Sequence, residues 1–279
     1  MTQKEPADGG ADLHLHTRFS DGTYSVEGLI KAAKQAGLHA IAVTDHDSVG
    51  ALPRAIMLGE KYGVDIVPGI ELSCAHDGSE LHILGYCIDF TNMDLKETLR
   101  RVQSVRRERM ALMIDKLCEA GISIPKDTFF DSVKAESISR LHLAEYLVKK
   151  KHVSSIKEVF QKFIGDNRPA HINVNAFGLK EGIEFITANG GVAVYAHPAI
   201  TRRDDLISEM IGYGLKGIEV FNAAHSEESI RKYREIAEKN GLMVTGGSDC
   251  HGLNKAEPLL GKVRMSSTCV DQIRSLRKV

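Results

Sequence analysis

The sequence predicts an α/β fold: a barrel of parallel strands wrapped by helices, with one helical subdomain inserted part-way along the chain. Three observations carry this expectation. Short β-rich segments alternate with amphipathic stretches, the pattern of a parallel sheet covered by helices. Serine stands at or near the start of the clearest helical stretches and glycine just beyond their ends. Between residue 91 and about 170 the alternation stops and the sequence reads helical, before the strand pattern resumes at Gly190.

The first strand is expected at 11–16, Ala-Asp-Leu-His-Leu-His, followed by a helix from Ser25 to Ala36 that ends at Gly37. Further strands are expected at 40–45, 65–73 and 81–87. In the insertion, Asp94 is the expected cap of a long helix to Ala120 that stops at Gly121. Its stripe is Leu95, Leu99, Val102, Met110, Met113 and Leu117, at mixed three- and four-residue spacing. Two more helices are expected to start near Ser139 and Ser154. Strands return at 191–196, 217–222 and 243–248, with a helix from Ser226 to Asn240 ending at Gly241 before the last. The expected division is a barrel over 11–90 and 171–279, and a helical insertion over 91–170.

With 279 residues, 43% of them hydrophobic, the chain is long enough for a barrel plus an insertion. Lys plus Arg (36) nearly balance Asp plus Glu (37), and a net charge of -1 provides no global field for duplex DNA or a membrane surface. No apolar run approaches the length of a membrane span, and Met1 to Gly10 are polar without a signal-peptide core. They are expected to be a loose tail on a cytoplasmic protein. The five cysteines are odd in number, widely spaced and form no C-x-x-C, so reduced, mostly buried thiols are expected rather than a disulfide framework or a thiolate zinc site.

The chemistry gathers at strand ends. Side chains at i and i+2 of a strand point the same way, so the first strand should pack its leucines on one side and converge His14 and His16 on the other. Asp45-His46-Asp47 follow the second strand, Glu71 ends the third, His82 lies at the start of the fourth, and His197-Pro198 follow the fifth. Asp249 and His251, again one residue apart, follow the seventh. In a parallel barrel such ends meet at one mouth, which is the arrangement of a multinuclear metal site. With Asp21, six histidines and three carboxylates without thiolate favour Mn, Fe or Zn over Mg or Ca. Nine ligands exceed one ion's needs, and a shared carboxylate, for which Glu71 is chosen, would hold two ions ~3.5 to 4 Å apart.

The series His14-x-His16, Ser20-Asp21-Gly22, Thr44-Asp45-His46-Asp47, Gly69-x-Glu71, His82-Ile83-Leu84-Gly85-Tyr86, Ala196-His197-Pro198 and Gly247-Ser248-Asp249-x-His251 resembles the PHP (polymerase and histidinol phosphatase) family. It is most similar to the branch with a helical insertion that contains nucleoside 3′,5′-bisphosphate phosphatases and 5′-to-3′ exoribonucleases. The resemblance covers residues 11 to about 255 and implies a distorted (β/α)7 barrel with a trinuclear site. It implies that His14, His16, Glu71 and Asp249 hold one metal. Glu71, His82 and His197 would hold a second, and Asp21, His46 and His251 a third.

Asp45, next to ligand His46, is assigned a catalytic part, either as a ligand or, preferably, as an acceptor that fixes an imidazole. Thr44, Ser248 and Cys250 are read as strand-end packing, and His39, His76, His152, His171 and His225 are given no function. On the long inserted helix Arg100, Arg101 and Arg107 are read as a solvated face. The resemblance singles out Arg106 and Arg109, because related bisphosphatases use the insertion to hold a second phosphate. Arg140 and His142 lie in the first turn of the next helix, where free N–H groups favour an anion. These four residues are the expected substrate contacts.

The expected protein is a metal-dependent phosphomonoesterase with two to three divalent ions, Mn favoured and Fe or Zn as alternatives. A water of lowered pKa would attack phosphorus as metal hydroxide, in line, with the metals neutralising charge on the other oxygens. The expected substrate is a nucleoside 3′,5′-bisphosphate that loses its 3′-phosphate. The alternatives are a 5′-to-3′ exoribonuclease acting on short 5′-phosphorylated RNA and a non-catalytic metal-binding module.

Overall fold

The computed structural model describes residues 9–174, 176–253 and 258–277. The first eight residues of the expected tail lie outside it. The first half of the barrel consists of β1 (Ala11–Leu15), α1 (Val26–Gln35), β2 (Ala40–Val43), α2 (Leu52–Tyr62), β3 (Asp65–His76) and β4 (Ser79–Tyr86). The insertion follows as α3 (Met93–Glu119), α4 (Lys126–Ser132), α5 (Arg140–Lys149) and α6 (Ile156–Val159), the last running into a π-helical turn over Phe160–Ile164. The chain then returns through β5 (Phe177–Gly178), α7 (Leu179–Ala188), β6 (Val192–Tyr195), α8 (Pro198–Thr201), α9 (Ile207–Tyr213), β7 (Gly217–Asn222), α10 (Glu227–Lys239), β8 (Met243–Gly247) and α11 (Ser267–Ser275).

Helix starts follow their caps. Ser25, Ser139, Ser155 and Ser226 each accept a backbone N–H of the first turn with the side chain. The long helix begins earlier than expected, because Asn92 rather than Asp94 is the cap and accepts from Asp94 N at 2.9 Å. Helix α4 was not foreseen in the sequence; it spans seven residues and buries Phe129 alone, too short for a periodic stripe.

Seven strands form one path in the order β1-β2-β3-β4-β6-β7-β8, and the two-residue β5 pairs with β3 off that path. The sheet is mixed rather than wholly parallel: β4 is antiparallel to both β3 and β6. The reason is local. The turn at Asp77-Gly78, both with positive φ (45° and 78°), joins β3 directly to β4 as a hairpin, leaving no crossover helix. A parallel bridge between Leu15 and Cys250 brings the last strand back to the first. Gly247 permits this closure, since a Cβ there would lie 2.4 Å from His14 N.

Ala11, Leu13, Ala40, Ala42, Val67, Leu84, Val192 and Val194 form an inner cluster that takes in Cys269, Val270 and Ile273 of α11. A second, outer cluster sets Ile41, Val43, Ile70 and Ile218 against helix residues such as Leu29, Ala55 and Ile183. The two leucines of β1 separate, Leu13 inward and Leu15 outward. The β1–β2 register shifts between Asp12 and Leu15, which breaks the strict alternation expected there. The insertion has a core of its own, including Met110, Met113, Leu117, Phe129, Leu143, Leu147 and Ile164, whereas Leu95 and Leu99 of the same α3 pack on the barrel. Helix α3 thus packs its first turns on the barrel and its later turns in the core of the insertion. No described helix is long and apolar enough to cross a membrane.

Candidate metal centre

Glu71 is the hub of the barrel mouth. Its Oε2 lies 3.1 Å from His14 Nε2, 3.3 Å from His16 Nε2 and 3.1 Å from His46 Nδ1. Its Oε1 is 2.9 Å from both His82 Nδ1 and His197 Nε2. Asp249 Oδ1 stands 3.2 Å from His16 Nε2 and 3.5 Å from His14 Nε2. Asp21 Oδ1 is 3.3 Å from His251 Nε2, and its Oδ2 is 3.9 Å from His46 Nε2. All nine side chains expected at the mouth therefore meet there, although they are separated by up to 237 positions in sequence, from His14 to His251.

Three overlapping groups bring ligand atoms within 4.8 Å of one another: His14, His16, Glu71 and Asp249; His46, Glu71 and His82; and His16, Asp21, His46 and His251. His197 joins through Glu71. His14 Nε2, His16 Nε2, His46 Nδ1, Asp21 Oδ1 and Glu71 Oε2 are buried and make no hydrogen bond. Desolvated polar atoms crowded together in this way are costly unless something gathers them. A divalent cation does so, and an imidazole and carboxylate set without thiolate suits it chemically.

The electrostatics without a cation show how strongly the groups are coupled. Burial disfavours a charged imidazole at His14, yet Glu219, Glu71 and Asp249 outweigh it and hold the group well above its ordinary value. Against the same burial, Asp249 and Glu71 push His16 up to about 10, and Glu71 and Glu80 push His82 up to about 10. His46 goes the other way, because burial prevails and keeps it neutral. Burial also opposes charge on Asp21, Glu71 and Asp249, but the surrounding imidazoles keep all three well below the usual carboxylate range.

Supporting residues aim the ligands. Glu219, buried in β7, accepts from His14 Nδ1 at 2.9 Å with one oxygen, and from His197 N (2.8 Å) and Asn222 Nδ2 (3.1 Å) with the other. That leaves His14 Nε2 directed at Glu71 and Asp249. Glu219 was not recognised in the sequence; a lone glutamate inside the apolar run Ile218-Glu219-Val220 is the signal that could have found it. Glu219→Gln is expected to lower metal affinity by roughly 10- to 100-fold. A metal titration giving wild-type affinity would contradict this.

Asp45 does not bond an imidazole directly. It is buried and accepts from Thr17 N, Thr17 Oγ1 and Ser20 Oγ, each at 2.7 Å. Ser20 Oγ in turn lies 3.4 Å from His16 Nδ1, so the Asp45 carboxylate acts on the centre through Ser20 and the loop that carries Asp21. Strand-end backbone strain accompanies these contacts. Asp47, His197 and Asp249 all have positive φ (46°, 29° and 52°), which costs free energy for residues other than glycine and is retained where surrounding contacts impose it.

A cavity of about 580 Å³ opens from this mouth toward the insertion, with Arg106, Arg109 and Arg140 on its wall and Met110, Ile138 and Phe160 beside them. Each guanidinium meets a carboxylate. Arg106 Nη1 pairs with Asp47, Arg109 Nη1 with Glu80 at 2.6 Å, and Arg140 Nη1 with Asp166 at 2.7 Å. His142 does not line this cavity. Its Nδ1 accepts from Ser139 N at 3.0 Å, completing the cap of α5, and the ring faces a separate cleft. The first-turn position that recommended it as an anion contact is the one that commits it to the cap. Asp47 and Glu80, unassigned from sequence, prove to be the partners of the expected arginines.

A barrel mouth that collects imidazoles and carboxylates around one shared glutamate, beneath an arginine-lined cavity, defines a hydrolase of phosphate esters. The chain belongs to the PHP domain family, which matches it over residues 12–244. It is 32% identical to a 3′,5′-nucleoside bisphosphate phosphatase of Chromobacterium violaceum over 250 residues, covering 86% of either chain. It is 28% identical to a 5′-3′ exoribonuclease of Haemophilus influenzae, covering 86% of this chain and 89% of that one. A solved structure from Bifidobacterium adolescentis, described as a candidate metal-dependent phosphoesterase, superposes with a TM-score of 0.89 at 29% identity over 99% of both chains.

Proposed function

We propose that this protein is a metal-dependent phosphomonoesterase that removes the 3′-phosphate of nucleoside 3′,5′-bisphosphates. The observation that carries the reading is that one cavity has the His/Asp/Glu cluster at its floor and Arg106, Arg109 and Arg140 on its wall. One phosphate reaches the cluster while a second faces guanidinium groups, whose planar forks suit phosphate oxygens.

Two to three divalent ions belong to this reading, Mn favoured and Fe or Zn as alternatives. His14, His16, Glu71 and Asp249 would hold one, Glu71, His82 and His197 a second, and Asp21, His46 and His251 a third. When bound, such ions supply a nucleophilic water of lowered pKa and neutralise charge on the phosphoryl oxygens. The protein orients and shields: Glu219 keeps the His14 proton on Nδ1, and Met110, Ile138 and Phe160 limit water around the ester. A cytoplasmic setting fits the five free thiols, four of them buried.

Phosphate release with Mn across nucleotides and sugar phosphates tests the assignment. The bisphosphate is expected to lead the panel; a clear preference for histidinol phosphate or a sugar phosphate overturns it. A second reading, 5′-to-3′ cleavage of short RNA, has one observation in its favour. A further cleft of about 360 Å³ also reaches Asp21 and is lined by Arg18, Lys134, Lys149 and Lys150. Among the described residues none of these four pairs with a carboxylate, which suits a polyanion leading away from the centre. Rates that rise with the length of 5′-phosphorylated oligonucleotides would favour that reading.

A further inference from the structure

Glu80 places a carboxylate where the proposed function needs an anion. It lies near the start of β4, two residues before His82, with a side chain only 11% exposed. Its Oε2 accepts from Arg109 Nη1 at 2.6 Å, and its Oε1 lies 3.4 Å from both Arg140 Nη2 and His82 Nε2. Both guanidinium groups are anchored elsewhere as well. Arg109 Nε donates to Ile172 O, and Arg140 Nη1 to Asp166 Oδ1, each at 2.7 Å. Their placement therefore does not depend on Glu80 alone. What Glu80 adds is negative charge.

We propose that Glu80 is a displaceable counter-anion: in the free protein it fills the place on Arg109 and Arg140 that a phosphate of the substrate takes. The inference rests on the reading of a nucleotide with two phosphates. A phosphate monoester carries about -1.5 to -2 at neutral pH and offers three strong acceptor oxygens, so it can replace one carboxylate at two guanidinium forks. A hydroxyl cannot, because opening a largely buried ion pair without a substitute leaves charges uncompensated. Glu80 thereby makes the site selective for a dianionic group at the far end of the substrate. Once displaced it retains His82 Nε2 as a partner, and His82 Nδ1 faces Glu71 Oε1 at 2.9 Å, so Glu80 also keeps that imidazole oriented.

Calorimetry with adenosine 5′-monophosphate, using Mn-loaded wild type and Glu80→Gln, reads the competition directly. Removing the competing charge is expected to tighten the nucleotide about tenfold, the scale of one charge-assisted contact no longer opposed. Unchanged, weaker or undetectable binding in the variant overturns the inference, whatever the enzyme hydrolyses. In kinetics the variant is expected to lower KM for adenosine 3′,5′-bisphosphate relative to KM for adenosine 3′-monophosphate, a comparison in which any effect of the variant on His82 is shared by both substrates. A carboxylate that merely positioned the arginines would raise the first instead. Glu80→Asp, whose shorter carboxylate reaches the arginines less well, is expected to fall between wild type and Gln, and it carries the test if Gln does not fold. If neither nucleotide is hydrolysed the proposed function fails, while the calorimetry still decides on Glu80.

Discussion

Glu71→Gln is expected to cut phosphate release by about a thousandfold or more, on the order of 4 kcal/mol of transition-state stabilisation, with the chain still folded. Among the described residues no other side chain has comparable reach. Its two oxygens face five imidazoles from four different segments, at 2.9 to 3.3 Å. An amide keeps the shape but loses the charge and one acceptor, so it can no longer be shared between two cations. Asp249→Ala, which removes the acid beside His14 and His16, is expected to follow with a loss of the same order. The measurement is steady-state phosphate release with Mn, beside circular dichroism and metal analysis of the variants. Wild-type rates in both variants would show that this centre is not the catalytic site and refute the proposed mechanism.

Stripping divalent ions with a chelator is expected to abolish hydrolysis while the barrel stays folded. Two facts lead to this. The inner and outer clusters pack strands and helices independently of the mouth, unlike a small metal-nucleated domain. The mouth also compensates itself: without a cation His14, His16 and His82 take up protons and stand as counter-ions to Asp21, Glu71 and Asp249. The pH dependence of the stripped protein follows in sign. His16 and His82, raised to about 10, contribute stability that is complete below the unfolded imidazole value of 6.5 and fades as pH climbs through about 10. The three depressed carboxylates contribute stability that is complete above their unfolded values and fades as pH falls through their lower folded ones. The stripped form is thus expected to be most stable in mildly acidic solution, between the unfolded carboxylate values of 3.8 to 4.5 and the unfolded imidazole value of 6.5. Reloading it there must expel the imidazole protons, so calorimetry in buffers of different ionisation enthalpy should detect proton release on metal binding. Loss of far-UV dichroism on chelation, or binding without proton release, would contradict this account.

Much of the barrel is legible in local signals. Serine caps and terminal glycines mark α1 and α10, and the apolar runs place the seven path strands to within a few residues. The mixed sheet is harder to read, because β4 is covered on both faces over its second half and so carries the near-continuous apolar run of a parallel strand. Only the Asp77-Gly78 turn hints that β3 and β4 form a hairpin. The nine mouth residues were legible for another reason: imidazoles and carboxylates at the ends of apolar strands are conspicuous, and i, i+2 spacing announces a shared face.

The layer behind them was not. Glu219, Glu80 and Asp47 look like ordinary acids until β7 lies beside β6 and α3 crosses the mouth. Arg106, Arg109, Arg140 and His142 are marked in the sequence only by helix position and resemblance. Three of them line the cavity, each matched with a carboxylate, while His142 serves the cap of its own helix.

What the sequence determined by itself is therefore what chain-local chemistry encodes: where strands and helices start, and which side chains at strand ends are capable of holding metal. Tertiary structure decided partnership. It made Glu71 the shared hub, set Glu219 behind His14, and matched each cavity arginine with an acid from elsewhere in the fold. The physical reason is range. A cap or an alternating pattern is settled within a few residues, whereas a charge buried among others takes its role from whichever groups the fold places within 3 to 4 Å.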